Sequence, residues 1–218
     1  MNDISIIAQA VAVIAACWAI ISGVGAWKRE FIGKRKIELA EDTLAAFFEI
    51  KDAIRFIRNP WSSGNEGKSR QRNNSESEEE SQLLDRGYIV FERYEAKKDI
   101  FNRFNIIKYK FMASFGSETE AIFTDTNKTL NSIFTAANML STYYWQRQGR
   151  VQMEPDEFQK HLDEMHKHEG IFWDHQSDDD VIRKELSDIQ ERLEEITKPC
   201  FEEPMKTYSI FTKKWFNG

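Results

Sequence analysis

From Ile4 to Trp27 the chain runs for 24 residues without a charge. Only Ser5, Gln9 and Ser22 are markedly polar within it. As a helix the run is about 36 Å long at 1.5 Å per residue. That length crosses a hydrocarbon core of ~30 Å with some tilt. A core helix of a soluble domain seldom goes this far without a charge. Residues 1–27 are therefore expected to be a transmembrane anchor, with Trp27 at the interfacial position that favours an aromatic.

The flanks give the expected orientation. Met1, Asn2 and Asp3 precede the run, whereas Lys28, Arg29, Lys34, Arg35 and Lys36 follow it. Positive charge concentrates on the cytoplasmic side of a span, which puts the carboxyl-terminal part inside a bacterial-type inner membrane and the amino terminus outside. The five basic residues would lie among anionic headgroups, membrane lipid being the first expected partner, at about 1 kcal/mol for each. A cleaved secretory signal fits poorly, because its first region is basic and its apolar stretch shorter. Ile14-Ala15-Ala16-Cys17 has the look of a lipoprotein cleavage site. Uncharged residues continue past Cys17 to Trp27, however, and no Lys or Arg comes before the run. Ala8, Ala12, Ala15, Ala19 and Gly23, continued by Ala26, fall on one helical stripe. Small residues in such a stripe let two helices approach closely in lipid, so the stripe is a candidate self-association face.

Beyond the anchor the pattern is helical throughout. Leu39, Thr43, Ala46, Ile50, Ala53 and Ile57 step by four and three along one face, and Phe47, Phe48 and Ile54 widen it. Residues 28–60 are thus a juxtamembrane segment and first bundle helix, ended by Pro60. Residues 61–82 read as a disordered polar linker, since no apolar residue occurs from Ser62 to Gln82. Residues 83–204 carry the rest of the bundle. One long helix is expected from Leu83 to Phe115, with Ile100, Phe104, Ile107, Phe111 and Phe115 on its apolar face. After Gly116, Ser117 and Glu120 suggest a capping box. Phe123, Thr126, Leu130, Ile133, Ala137, Leu140 and Tyr144 then alternate in threes and fours to about Gly149. A helix from Pro155 to about Glu169 follows, stopped by Gly170. The last seam is Ile182, Leu186, Ile189, Leu193 and Ile196, with Pro199 and Pro204 breaking the chain after it. The tail, 205–218, sets Tyr208, Phe211 and Trp215 against Lys206, Lys213 and Lys214. The expected fold is all-α: one transmembrane helix and a cytoplasmic antiparallel bundle of four or five helices.

Charge is unevenly placed. Residues 154–204 hold 17 acidic and 6 basic side chains, whereas 83–150 hold 10 basic and 7 acidic. An acidic surface repels phosphate, and with a net charge of −6 this argues against nucleic acid as a partner. Phosphate loops, nucleophile elbows and paired cysteines at metal spacing are missing from the sequence. The one chemical cluster is histidine, all four of which lie between 161 and 175. His161, Glu164 and His168 stand at i, i+3 and i+7, where imidazole and carboxylate ligate zinc or iron. They are the metal-ligand candidates. A di-iron bundle site uses Glu-x-x-His pairs on two helices, whereas the one cluster here reads His-x-x-Glu and has no second half, so a polar His-rich face is the plainer reading. No other cofactor is implied.

Three functions follow. The leading one is a non-enzymatic interaction or sensing module on a single-pass anchor, with a protein partner or a second copy of the chain. The second is a membrane effector of toxin or antiviral defence type that oligomerises through the small stripe. The third is a metal-dependent enzyme or sensor built on His161, Glu164 and His168.

Overall fold

The computed structural model describes residues 2–215, with side chains described for 7, 9, 11–28 and 30–202. The regular structure among the described residues is helical, with no strand. Helix α1 spans Asn2–Ile57, α2 Glu78–Glu95, α3 Lys98–Phe115 and α4 Glu120–Met139. A π turn, Leu140–Tyr144, leads into the short α5, Trp145–Arg147. Helix α6 spans Pro155–Phe172 and α7 Val181–Trp215. The chain divides into two compact units, residues 1–41 with 197–218, and residues 42–196.

The second unit is a helical bundle whose core follows the sequence pattern closely. In α1, Thr43, Ala46, Phe47, Ile50, Ala53, Ile54 and Ile57 are all buried, and only Phe48 of the expected face points out. Every residue of the seven-position run from Phe123 to Tyr144 is buried. Aromatic rings join the helices. Phe104 of α3 lies 6.0 Å from Phe47 and 4.6 Å from Phe123, between centroids. Phe91 of α2 stacks on Phe134 of α4 at 4.9 Å. Gly87 lets α2 approach the π turn, because a Cβ there would sit 2.4 Å from that of Ser141.

The structure corrects several boundaries. The helix expected over 83–115 is two helices, its ladder broken at Ala96 and Lys97, where Lys97 takes φ −117° and ψ 4°. The Ser117/Glu120 capping box does not form. Thr119 donates its hydroxyl to the Gly116 carbonyl at 2.7 Å, and Glu120 pairs with Lys108 at 2.7 Å instead. Gly170 does not stop α6, which continues to Phe172. Pro199 and Pro204 stand inside α7. Each removes one backbone donor, and the ladder resumes beyond it. The tail face of Tyr208, Phe211 and Trp215 lies outside the described side chains.

The largest correction concerns residues 61–82, expected to be a disordered linker. Helix α2 already begins at Glu78, capped by the Ser77 hydroxyl, which accepts from Glu80 N at 3.1 Å. Before it, Arg70 pairs with Glu76 at 2.5 Å and Asp85 at 3.0 Å, and Arg72 reaches Asp85 at 2.6 Å. The Gly67 amide donates to the Glu92 carboxylate. The Arg70 guanidinium, helped by the Asn73 amide, holds the Glu76 carboxyl down at about 2. A rule that counts apolar burial misses a loop held by paired charges and backbone amides.

Candidate functional site

The first unit carries the residues expected to form the anchor. Ile14, Trp18 and Ile21 are 68, 72 and 71% exposed. Ala12, Ala15, Ala19 and Gly23 are exposed as well, and nothing lies within 4 Å of where a Gly23 Cβ would stand. The Ala8 side chain lies outside the described residues. Cys17 is a free, exposed thiol. The Ser22 hydroxyl donates to the Ala19 carbonyl at 3.0 Å, so its own helix satisfies it. At the end of the apolar run Trp27 stacks on Phe31 at 5.8 Å. Among the basic residues that follow, Lys28, Lys34 and Arg35 are exposed and Lys36 is half-buried, while the Arg29 side chain lies outside the described residues. One helix among the described residues has a stretch apolar and long enough to cross a membrane, and it is α1.

The histidine candidates lie on α6, whose first turn holds Pro155, Asp156 and Glu157 as a helix start favours. The structure does not bring them together as ligands. His161 is only 7% exposed and packs on Tyr144 of the π turn, 5.4 Å between ring centroids. His168 packs on the same tyrosine at 5.1 Å. Around the helix Glu164 stands about 60° from His161 and about 40° from His168. It is exposed and lies 3.7 Å from Lys167. Among the described residues no three His, Cys, Asp or Glu gather as a metal-binding group. His166 and His175 are exposed. What the helix assembles is an aromatic sandwich of two imidazoles and a phenol. Burial pushes the Tyr144 phenol up, reinforced by the Glu164 charge. Burial also lowers the His168 imidazole, with Glu164 opposing.

Two buried arginines form the polar centres that the sequence reading missed. Arg58, 1% exposed, follows the last turn of α1. Its Nε donates to the Ile171 carbonyl at 2.7 Å, and its Nη2 to the Gly170 and Trp173 carbonyls at 2.9 and 2.8 Å. One guanidinium thus caps the end of α6. The same group takes both carboxylate oxygens of Asp180 at 2.8 Å. Asp180 also caps α7, accepting from the Arg183 amide at 3.0 Å. Burial pushes its carboxyl up, but the Arg58 hydrogen bonds, the Arg183 amide and the Arg58 charge together hold it below the ordinary range. Beside it, Asp174 takes Arg183 through two bonds of 2.9 Å. Arg93 of α2 does for α1 what Arg58 does for α6. It donates to the Asn59 and Trp61 carbonyls at 2.5 and 2.7 Å and pairs with Glu66 at 2.7 Å. The one signal in the sequence was Arg58 itself, four residues after Ile54 and eight after Ile50 on an otherwise apolar face.

These contacts fix the connections between helices, and none of them presents an activated nucleophile or an open catalytic dyad. Compared with known proteins, the chain matches no family model, no curated protein and no solved structure.

Proposed function

We propose that this is a single-pass membrane-anchored protein whose bundle, residues 42–196, is an interaction or sensing module. The observation that carries the reading is the exposed apolar surface of α1. Its first half is apolar all round, and a helix of that kind is either buried in protein or in lipid. The described side chains from Val11 to Trp27 are exposed, apart from Gly25, which is half-exposed. Lipid is the remaining solvent for them. The basic residues Lys28, Lys34 and Arg35 support an orientation with the bundle on the cytoplasmic side of a bacterial-type inner membrane. Short connections support antiparallel neighbours within the bundle. Interaction or sensing is favoured because the buried arginines Arg58 and Arg93 serve helix ends. The small stripe of α1 fits a second copy of the chain as partner.

The test is membrane retention of the full chain in a bacterial host. Wild-type protein is expected to stay in the membrane pellet through alkaline carbonate extraction. Release into the supernatant would overturn the anchor. Ile14→Arg places a charge at mid-span, costs about 2.5–3.5 kcal/mol of insertion, and is expected to increase release. A cysteine at Ser75→Cys should react with an impermeant maleimide only after the membrane is opened. Labelling in intact cells would reverse the orientation.

A further inference from the structure

A cleft of about 290 Å³ lies between the end of α1, the loop after α6 and the first turns of α7. That volume is close to the lower end of the about 300–1,000 Å³ of small-molecule sites. The cleft belongs wholly to the unit of residues 42–196. Lys51, Arg55 and Arg58 line it from one face of α1, at i, i+4 and i+7, and Arg183 and Lys184 line it from α7. Against these cations the lining sets Asp174, Asp178 and Asp188. Residues 154–204 are acidic as a whole, so the positive balance is local to the cleft.

The cations are of two kinds. Arg58 and Arg183 are fixed, by Asp180 and Asp174. Arg58 nevertheless keeps donor capacity, because its Nη1 carries two hydrogens and Asp180 Oδ1 takes one. Lys51, Arg55 and Lys184 are held loosely. Lys51 donates to the neutral amide oxygen of Gln190. Arg55 pairs with Asp52 and Lys184 with Asp179, and all four of these side chains are more than half exposed. Exposed pairs of this kind contribute little and yield to a stronger anion.

We infer that this cleft binds a small phosphorylated polyol, a sugar phosphate by chemical class. A phosphate dianion has acceptor oxygens enough to meet Lys51, Arg55 and Lys184 together through charge-assisted bonds. Asp178 and Asp188 are exposed carboxylates, and they accept from hydroxyl groups. The exposed Ser187 hydroxyl beside them donates or accepts. A bare inorganic anion would be repelled by the two carboxylates and gain nothing from them. The mixed lining therefore selects hydroxyls next to the phosphate. The apolar part of the lining is Ile54 and Leu186, which offers no aromatic ring for a nucleotide base to stack on. The inference rests on the sensing half of the function proposed above and gives it a ligand class.

Titration calorimetry of the full chain in micelles of a phosphate-free detergent tests this, with glucose 6-phosphate and glycerol 3-phosphate as the probes. At least one is expected to bind with a dissociation constant of about 1 mM or tighter, and inorganic phosphate at least tenfold more weakly. Glucose should give no heat. Lys51→Gln and Lys184→Gln each remove a charge-assisted bond and should weaken the sugar phosphate about tenfold. Asp188→Ala should narrow the gap between sugar phosphate and inorganic phosphate. Lys128→Gln, an exposed change on α4 away from the cleft, should leave binding as it is. Far-UV circular dichroism checks that each variant folds, and if Lys51→Gln does not, Lys184→Gln carries the comparison. Absence of heat with both probes would overturn the inference, as would wild-type affinity in the lysine variants or equal affinity for inorganic phosphate. None of these outcomes bears on carbonate extraction, so the ligand and the anchored module fail separately.

Discussion

Ile14 and Ile50 lie in the same helix, yet one is 68% exposed and the other fully buried. The two halves of α1 differ in what surrounds their apolar residues in sequence. Around Ile50, Glu49, Lys51, Asp52 and Arg55 occupy the outward positions, and the apolar residues keep to one stripe. Around Ile14 there is no polar side to turn toward water. An amphipathic stripe asks for a protein partner and gets one in Phe104 and its neighbours. An all-round apolar surface asks for a different solvent. The same residue type thus carries opposite information in the two halves, and the polar spacing between apolar residues decides which.

The strongest way to break this comparison is at the end of the second half. Arg58→Ala would leave Asp180 as a buried charge without its partner, and the carbonyls of Gly170, Ile171 and Trp173 without their donor. Removing one member of a buried pair costs about 3–5 kcal/mol. Urea unfolding of the full chain in micelles, followed by far-UV circular dichroism, is the measurement. A loss under 1 kcal/mol would mean that apolar packing alone sets the end of α1.

Next comes a matched pair of truncations. Ile50→Ala removes a fully buried side chain and is expected to cost about 2–5 kcal/mol in the same assay. Ile14→Ala should stay within about 0.5 kcal/mol, as an exposed position does. Equal costs at the two sites would show that the first half of α1 is packed against protein, and would remove lipid as its solvent.

The helical faces were legible in the sequence because period alone specifies them. The run from Phe123 to Tyr144 is buried at every position read from the spacing, and the seam of α7 is buried from Ile182 to Leu193. What spacing does not carry is the pairing of distant charges. Arg58 meets Asp180 across 122 residues, and Arg93 meets Glu66 across 27. Arg70 and Glu76 are near in sequence, but their polar stretch has no apolar anchor to betray that it folds. The histidine spacing was read correctly as one face, His161 and His168 sharing it. Its chemistry was not legible, because the partner that defines it, Tyr144, comes from another element. The break at Ala96 and Lys97 had no signal in the form of Gly or Pro.

The smallest effects separate two serines that look alike in composition. Ser77 accepts from the Glu80 amide at the start of α2, where an unpaired helix donor has no other partner nearby. Ser77→Ala is expected to cost about 1 kcal/mol in urea unfolding. Ser22 donates to a carbonyl three residues back, inside a ladder already formed. A hydroxyl that bends back onto its own helix adds little and can slightly weaken it. Ser22→Ala should therefore change stability by less than about 0.5 kcal/mol. A larger loss at Ser22 than at Ser77 would mean that this hydroxyl meets a partner outside its own helix. It would then be the first sign that the apolar half of α1 packs against another helix.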